Sequence, residues 1–259
     1  MTAMSQSPAL SVSQLTVNYE KTPVLWDLSF EVPSACIVGI LGPNGAGKST
    51  FLKTSLGLIK PLSGTVRFMG QDLSKVRKNI AYVPQKEMVD WDFPASVFDL
   101  VLMGRYGRLG LFRWPSRQDR KDAMKYIELL GMRKFAERQI SQLSGGQQQR
   151  VFIARALMQE AELYLMDEPF VGVDMVTKKS IMELLQNLKK EGKSIFIVHH
   201  DLNSVREDFD RVIMLNTRLV AEGTLQDVYH SENIEKTFQN SAIFEEALRL
   251  SQNRTRGLK

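Results

Sequence analysis

The 259-residue sequence predicts an α/β fold, with a mostly parallel core sheet, an antiparallel β flank and a helical insertion. Three observations predict it. First, the apolar run Ala35-Cys36-Ile37-Val38-Gly39-Ile40-Leu41 enters a Gly-rich turn, and Lys48-Ser49-Thr50-Phe51-Leu52-Lys53 continues as a helix. Second, the apolar run Glu162-Leu163-Tyr164-Leu165-Met166 reads as another buried strand and ends in Asp167-Glu168. Third, Ile181, Leu184, Leu185 and Leu188 form the i, i+3, i+4, i+7 stripe of an amphipathic helix. That helix lies between the Asp167 strand and the run Ser194-Ile195-Phe196-Ile197-Val198, as a right-handed βαβ crossover requires.

The elements follow in order. Residues 10–32 alternate like antiparallel strands, with Thr22-Pro23 as the turn. The buried strand at 35–41 and its helix come next. Pro61-Leu62-Ser63-Gly64 then reads as a turn into a strand over 65–69. Residues from about 87 to 158 read mainly as helix and loop. Within them, Ser144-Gly145-Gly146 opens a helix that runs through Gln148, Arg150, Phe152, Ala154, Arg155 and Leu157. The chain, 1–259, reads as a single domain with a helical subdomain at about 87–158 and a C-terminal tail at about 231–259.

Composition narrows the class. The length supports a substantial core, and an apolar fraction of 43% is ordinary for a globular protein. No apolar run reaches the length of a membrane span, and the N-terminal residues lack the apolar core of a signal peptide. The single cysteine, Cys36, excludes an internal disulfide and suits a reducing compartment. A formal charge of +5, without a dense basic run interleaved with aromatics, argues against nucleic acid as a partner.

The chemistry sits in the turns. Gly42-Pro43-Asn44-Gly45-Ala46-Gly47-Lys48-Ser49 between strand and helix is a phosphate-binding loop. Its glycines let the backbone curl with N–H groups inward, and the helix N-terminus adds a positive dipole end for an anion. Lys48 supplies a point charge for the β- and γ-phosphates, and the Ser49 hydroxyl is a hard oxygen ligand suited to Mg²⁺. Asp167, at the tip of its strand, is placed to hold Mg²⁺. Neighbouring residues on a strand point to opposite sides, which frees Glu168 to polarise an attacking water as general base. Ser144-Gly145-Gly146 at a helix N-terminus is a second phosphate-binding device. His199 and His200 are expected on opposite faces of a strand end, a poor geometry for shared metal ligation. His199 is therefore expected to be structural, and His230 carries no assigned role.

The pentapeptide Leu143-Ser144-Gly145-Gly146-Gln147, behind the phosphate loop and before Met166-Asp167-Glu168-Pro169, resembles the ATP-binding subunit of an ABC transporter along nearly the full length. The resemblance implies ATP and Mg²⁺ as cofactors and ATP hydrolysis as the activity. It makes Tyr19 the aromatic that stacks on adenine. Gln85, after Ala81-Tyr82-Val83-Pro84, becomes the glutamine that touches the metal and the attacking water and faces the membrane subunits. His200 becomes the contact to the γ-phosphate, and Asp174 the loop aspartate that reaches across a dimer. Gly42 to Thr50 hold the nucleotide, and Ser144, Gly145, Gly146 and Gln147 cap the ATP of a second copy. One element departs from the pattern: the family's Ser-x-Leu-Asp is Val171-Gly172-Val173-Asp174 here.

A finer resemblance follows. Asp90-Trp91-Asp92-Phe93-Pro94 and Leu102-Met103-Gly104-Arg105-Tyr106-Gly107 resemble the ATPases of bacterial manganese, zinc and iron importers, with manganese ranked first and zinc or iron second. The implied partners are a second copy, transmembrane permease subunits and, indirectly, an extracytoplasmic metal-binding protein; the implied place is the cytoplasmic face of the plasma (inner) membrane. Trp91, Phe93, Trp114 and Arg105 are expected as exposed aromatics rimmed by arginine that meet the permease, the alternative being that some of Trp91, Phe93 and Trp114 pack inside the helical lobe. The alternative reading is a soluble single-domain ABC ATPase that serves assembly of a cofactor or complex, not transport.

Overall fold

A computed structural model describes residues 7–19, 22–86, 91, 93–110 and 113–239. Asp90 and Asp92 of the importer-like motif, and the tail beyond Gln239, lie outside the described residues. The chain divides into two compact units, Met1–Leu73 with Val198–Lys259, and Ser74–Ile197.

The first unit opens with β1 (Leu10–Tyr19) and β2 (Thr22–Val32), paired antiparallel. Thr22 and Pro23 are not the turn expected of them: they pair with Tyr19 and Asn18 as the first residues of β2. Proline is tolerated there because it opens the strand. Along β1, Leu10, Val12, Leu15 and Val17 are buried. The period of two slips by one between Val12 and Leu15, where Gln14 adopts a φ of 47°. That bulge re-aims Leu15 into the core. Next come β3 (Ile37–Leu41), buried at every residue, and α1 (Lys48–Ser55). Cys36, one residue before β3, is buried with its Sγ donating to the Pro33 carbonyl, 3.1 Å.

The strand β4 (Ser63–Phe68) begins earlier than the sequence suggests, because Ser63 and Gly64 already belong to it. Gly64 has a φ of +86°, and a Cβ there would collide with the Gln14 backbone, so the expected turn glycine instead seats β4 against the bulge of β1. With β5 (Gln71–Asp72) these strands form a four-stranded antiparallel sheet in the order β2-β1-β4-β5.

The second unit runs from the short α2 (Leu73–Val76) and β6 (Ile80–Val83) into the helices α3 (Val97–Leu102), α4 (Tyr106–Leu109), α5 (Arg117–Leu129) and α6 (Gly145–Met158). Ser96 and Ser116 start α3 and α5 through reciprocal capping boxes with Asp99 and Asp119. Eight consecutive residues of α6 but one, Val151 to Met158 without Arg155, are buried, so this helix is enclosed on most sides. Then follow β7 (Leu163–Asp167), α7 (Met175–Lys190) and β8 (Ser194–Val198), with strands in the order β8-β7-β6 and β6 parallel to β7. The α7 stripe turns slightly from its expected face: Ile181, Met182 and Leu185 are buried, whereas Leu184 and Leu188 are half-buried.

The chain returns to the first unit as α8 (Val205–Asp208), the hairpin β9 (Arg211–Asn216) and β10 (Arg218–Thr224), and the short α9 (Leu225–Val228) and α10 (Ser231–Phe238). Here β9 runs parallel to β3 and antiparallel to β10. The start of the tail thus folds as α10. Among the described residues no helix is long and apolar enough to cross a membrane.

Candidate functional site

In the first unit the phosphate loop leaves the C-terminal end of β3 and curls into the start of α1, as strand, glycine turn and helix dictate. Gly47 sits at φ +92°, and a Cβ there would strike Leu25 and lie 2.9 Å from the Val24 carbonyl. Only glycine fits that position. Gly42 is fixed by space: a Cβ would meet the Leu215 carbonyl. Ala46 donates to Pro43 across the loop, 3.2 Å, and Asn44 and Gly45 form its exposed tip. Lys48 is 6% exposed, and its Nζ donates to the Gly42 and Pro43 carbonyls at 2.8 Å each. The charge expected for phosphates is thus held at the mouth of the loop. Ser49 is half-buried and Thr50 buried behind it.

Tyr19 ends β1 with half its surface open, which leaves the ring face available for a flat base. The histidines follow β8. His199 is buried and His200 exposed, as a strand end predicts, although their ring centroids stay 5.9 Å apart. His199 is structural: its N–H donates to the Ile40 carbonyl at 3.1 Å, its Nε2 meets Ser204 Oγ at 2.8 Å, and its ring packs edge-on to Phe209. Burial opposes ionisation of Asp201, but the Asn203 N–H, the Ser204 hydroxyl and the nearby His199 outweigh it and hold the carboxyl below the usual range. This network presents His200 outward. Among the described residues no group of three or more His, Cys, Asp or Glu could hold a metal ion.

In the second unit Gln85 is half-buried two residues past β6. Asp167 is the last residue of β7 and fully buried. Burial, aided by the Asp167 charge, pushes the Tyr82 phenol well above its ordinary pKa, so Tyr82 stays neutral beside it. Glu168 corrects the strand-alternation expectation. It lies beyond β7 with a φ of 51°, so a left-handed turn, not the strand pleat, sets its direction. Such a conformation costs a non-glycine residue about 1–2 kcal/mol, and it recurs where geometry serves function.

The helix α6 opens at Ser144, whose N–H donates to Gln147 Oε1 at 2.9 Å. Gln147 therefore caps its own helix. Gly145 and Gly146 stay half-open beside the exposed Ser144. A Cβ on Gly146 would collide with the Gly172 carbonyl, so α6 rests its first turn directly on the loop 171–174. Gly172 has a φ of +73°, and Val171 is 40% exposed with its N–H donating back to Glu168. Asp174 caps α7, accepting from the Thr177 N–H at 2.9 Å and from its hydroxyl at 2.7 Å. Those two hydrogen bonds hold the Asp174 carboxyl below its usual pKa.

The expected arginine-rimmed aromatic surface is present only in part. Trp114 and Phe93 are exposed, but Trp91 is half-buried, packed edge-on to Phe152 with its indole N–H donating to the Lys86 carbonyl at 3.0 Å. Arg105 is not at a rim. It is 8% exposed and forks to Glu160 (2.9 and 3.1 Å), Asp119 (2.9 Å) and Asp122 (3.5 Å). The hairpin residues Leu215 and Thr217, which meet the phosphate loop, were not legible in the sequence, because their contacts come from strands far apart along the chain.

Residues 25–171 match the family described as ABC transporter. The chain is 52% identical over 230 residues to the zinc transport system ATP-binding protein of Treponema pallidum, covering 89% of this chain and 86% of that one. It is 50% identical over 235 residues to the manganese transport system ATP-binding protein of Bacillus subtilis, covering 91% and 94%. A nucleotide-free ATP-binding cassette from an ABC transporter superposes with a TM-score of 0.70 at 25% identity, over 92% of this chain and 98% of that one.

Proposed function

Because the chain belongs to the ABC transporter ATP-binding family, an ATPase family, we propose that it powers import of a divalent transition metal, manganese first and zinc or iron second. It does so as a dimer that closes on two Mg-ATP and drives separate permease subunits from the cytoplasmic face of the inner membrane. An extracytoplasmic metal-binding protein delivers the cargo. Support for the cargo comes from relatives at about half identity that are named for zinc and manganese transport.

The observation that carries the reading is the seating of the signature helix on the carboxylate loop, Gly146 against Gly172. It ties the residues that cap a partner's ATP to the segment that bears Glu168 and Asp174. In the mechanism, Lys48 exchanges its two carbonyl acceptors for phosphate oxygens, and Tyr19 stacks on adenine. Asp167, Ser49 and Gln85 offer hard oxygens, a donor set that fits Mg²⁺, which would neutralise developing phosphate charge. Glu168 polarises the attacking water and His200 contacts the γ-phosphate. Ser144, Gly145 and Gly146 donate to the ATP of the second copy, and Gln147 holds their helix start in shape. Asp174 keeps its cap while the loop around it faces the second copy. The importer-like segment that follows Gln85 meets the permease through Phe93 and Trp114, with Trp91 as its internal anchor.

Uptake of manganese, zinc and iron, measured side by side in cells carrying wild type or Glu168→Gln, tests this. Selective loss of one metal establishes the cargo. Unchanged uptake of all three, with the protein expressed and no second importer active, would sink the importer reading in favour of another cargo or a soluble assembly ATPase.

A further inference from the structure

Two loops that serve the nucleotide are fastened from one place in the first unit. At the phosphate loop, the Ala46 carbonyl accepts from the N–H of Thr217, the turn residue between β9 and β10, at 3.2 Å. Thr217 holds a φ of 59°, and its own carbonyl accepts from the Trp26 N–H at 2.8 Å. The neighbouring Leu215 carbonyl fills the space that a side chain on Gly42 would need. The hairpin turn is therefore the wall against which the loop is shaped. Asn216, the last residue of β9, donates from Nδ2 to the Thr237 carbonyl of α10 at 3.0 Å. Thr237 and Phe238 are fully buried, and Thr237 Oγ1 donates to the Asn233 carbonyl at 2.6 Å, so this acceptor is rigidly held.

At the histidine loop, the Tyr229 hydroxyl donates to the Leu202 carbonyl at 2.7 Å, two residues past His200. Tyr229 follows α9 and is 7% exposed. Its ring lies 5.3 Å from the Arg206 guanidinium, which also donates to the Tyr229 carbonyl at 3.4 Å. Burial pushes the phenol up to about 12, so it remains a protonated donor at neutral pH.

We propose that residues 225–238 are a positioning element for the nucleotide site, with Asn216 tying the phosphate loop to α10 and Tyr229 tying the His200 loop to α9. Neither residue touches ATP. Each acts through a loop that does, and one short C-terminal segment sets both. The proposal rests on the roles given above to the phosphate loop and His200.

Tyr229→Phe removes one hydroxyl and keeps the ring, and Asn216→Asp removes the donor and keeps the shape. In the full-length chain, Tyr229→Phe is expected to lower kcat about fivefold with the Kd for ATP unchanged, and to speed amide hydrogen exchange in 199–204. Asn216→Asp is expected to raise the Kd about fivefold and to speed exchange in 42–50. Asn216→Ala replaces it if the aspartate variant fails to fold. Wild-type exchange in both loops, or loosening spread evenly over the first unit with no split between kcat and Kd, overturns the proposal. Wild-type protein that fails to hydrolyse ATP would instead count against the proposed function, while the exchange data still decide on the tethers.

Discussion

Lys48 and Glu168 are each set by a local backbone feature. The ammonium of Lys48 lies between two carbonyls of its own loop, and phosphate oxygens are stronger acceptors for it because they carry charge. Lys48→Ala is therefore expected to cut ATP turnover by about a hundredfold or more, with nucleotide binding weakened in a fluorescent-nucleotide titration. Glu168 stands on a left-handed turn that glutamine tolerates equally well. Glu168→Gln should thus keep ATP binding while hydrolysis falls by about 10²–10⁴-fold, the worth of a positioned general base. Single-turnover assays with equal bound ATP check this. Wild-type turnover in that variant would remove Glu168 from its role.

The phosphate loop was legible because its glycines, lysine and serine are consecutive in sequence and their conformations are local. The left-handed φ of Glu168 was not, since nothing in Met-Asp-Glu-Pro announces a turn before Glu168. The Arg105 site was misread for a related reason. An arginine beside aromatics looks like a surface anchor until its carboxylate partners, Asp119, Asp122 and Glu160, are known to converge on it.

Among elements, α6 is the hinge of the second unit's architecture. Its first turn rests on the loop 171–174 through Gly146. Near its far end Gly104 packs so closely that a Cβ would collide with the Arg155 carbonyl. Next to that contact, Arg105 joins the segment between α3 and α4 to α5 and to Glu160 just past α6. Gly146→Ala should push α6 off Gly172. The expected result is loss of ATPase with nucleotide binding to the separate phosphate loop retained; equal activity in a purified variant would contradict the packing role.

Arg105→Met should destabilise the protein by about 2–3 kcal/mol, because it leaves partly buried carboxylates without their cation. The pH dependence has a definite sign. The hydrogen bond from Arg105, opposed by burial and helped by the charges of Arg105 and Arg108, holds Glu160 below its usual pKa. That stabilisation is present above the unfolded carboxylate pKa of about 4.3 and is lost as pH falls through the lower folded value. The difference in Tm between wild type and Arg105→Met is thus expected to be full at neutral pH and to shrink in acid. A gap that persists unchanged at the lowest pH at which both stay folded would mean that packing of the arginine stem, not charge, carries the effect.

For the whole molecule, the helices that start at Lys48 and at Gly145 each lie in their own compact unit. On the proposed function they serve different ATP molecules in a dimer. Glu168→Gln with ATP and Mg²⁺ should then elute as a dimer on a sizing column and return to monomer when nucleotide is removed. A monomer under both conditions, and no cross-linking between copies in the assembled transporter, would contradict the composite site. The loop Val171-Gly172-Val173-Asp174 would meet the second copy with apolar side chains where the family has a polar one.

The sequence by itself determined the family, the phosphate loop, the signature helix and the strand–helix–strand crossover from Leu163 to Val198. These depend on residue types at fixed short spacings, and short spacings become short distances whatever the rest of the chain does. Tertiary structure alone decided that Thr22 and Pro23 belong to a strand, that Arg105 is a buried clamp, and that Gly146 seats α6 on Gly172. It also decided that the Tyr229 hydroxyl meets the Leu202 carbonyl and that Asn216 meets the Thr237 carbonyl of α10. Each of these is a contact between segments distant along the chain, and hydrophobic burial, not any local pattern, brings those segments together.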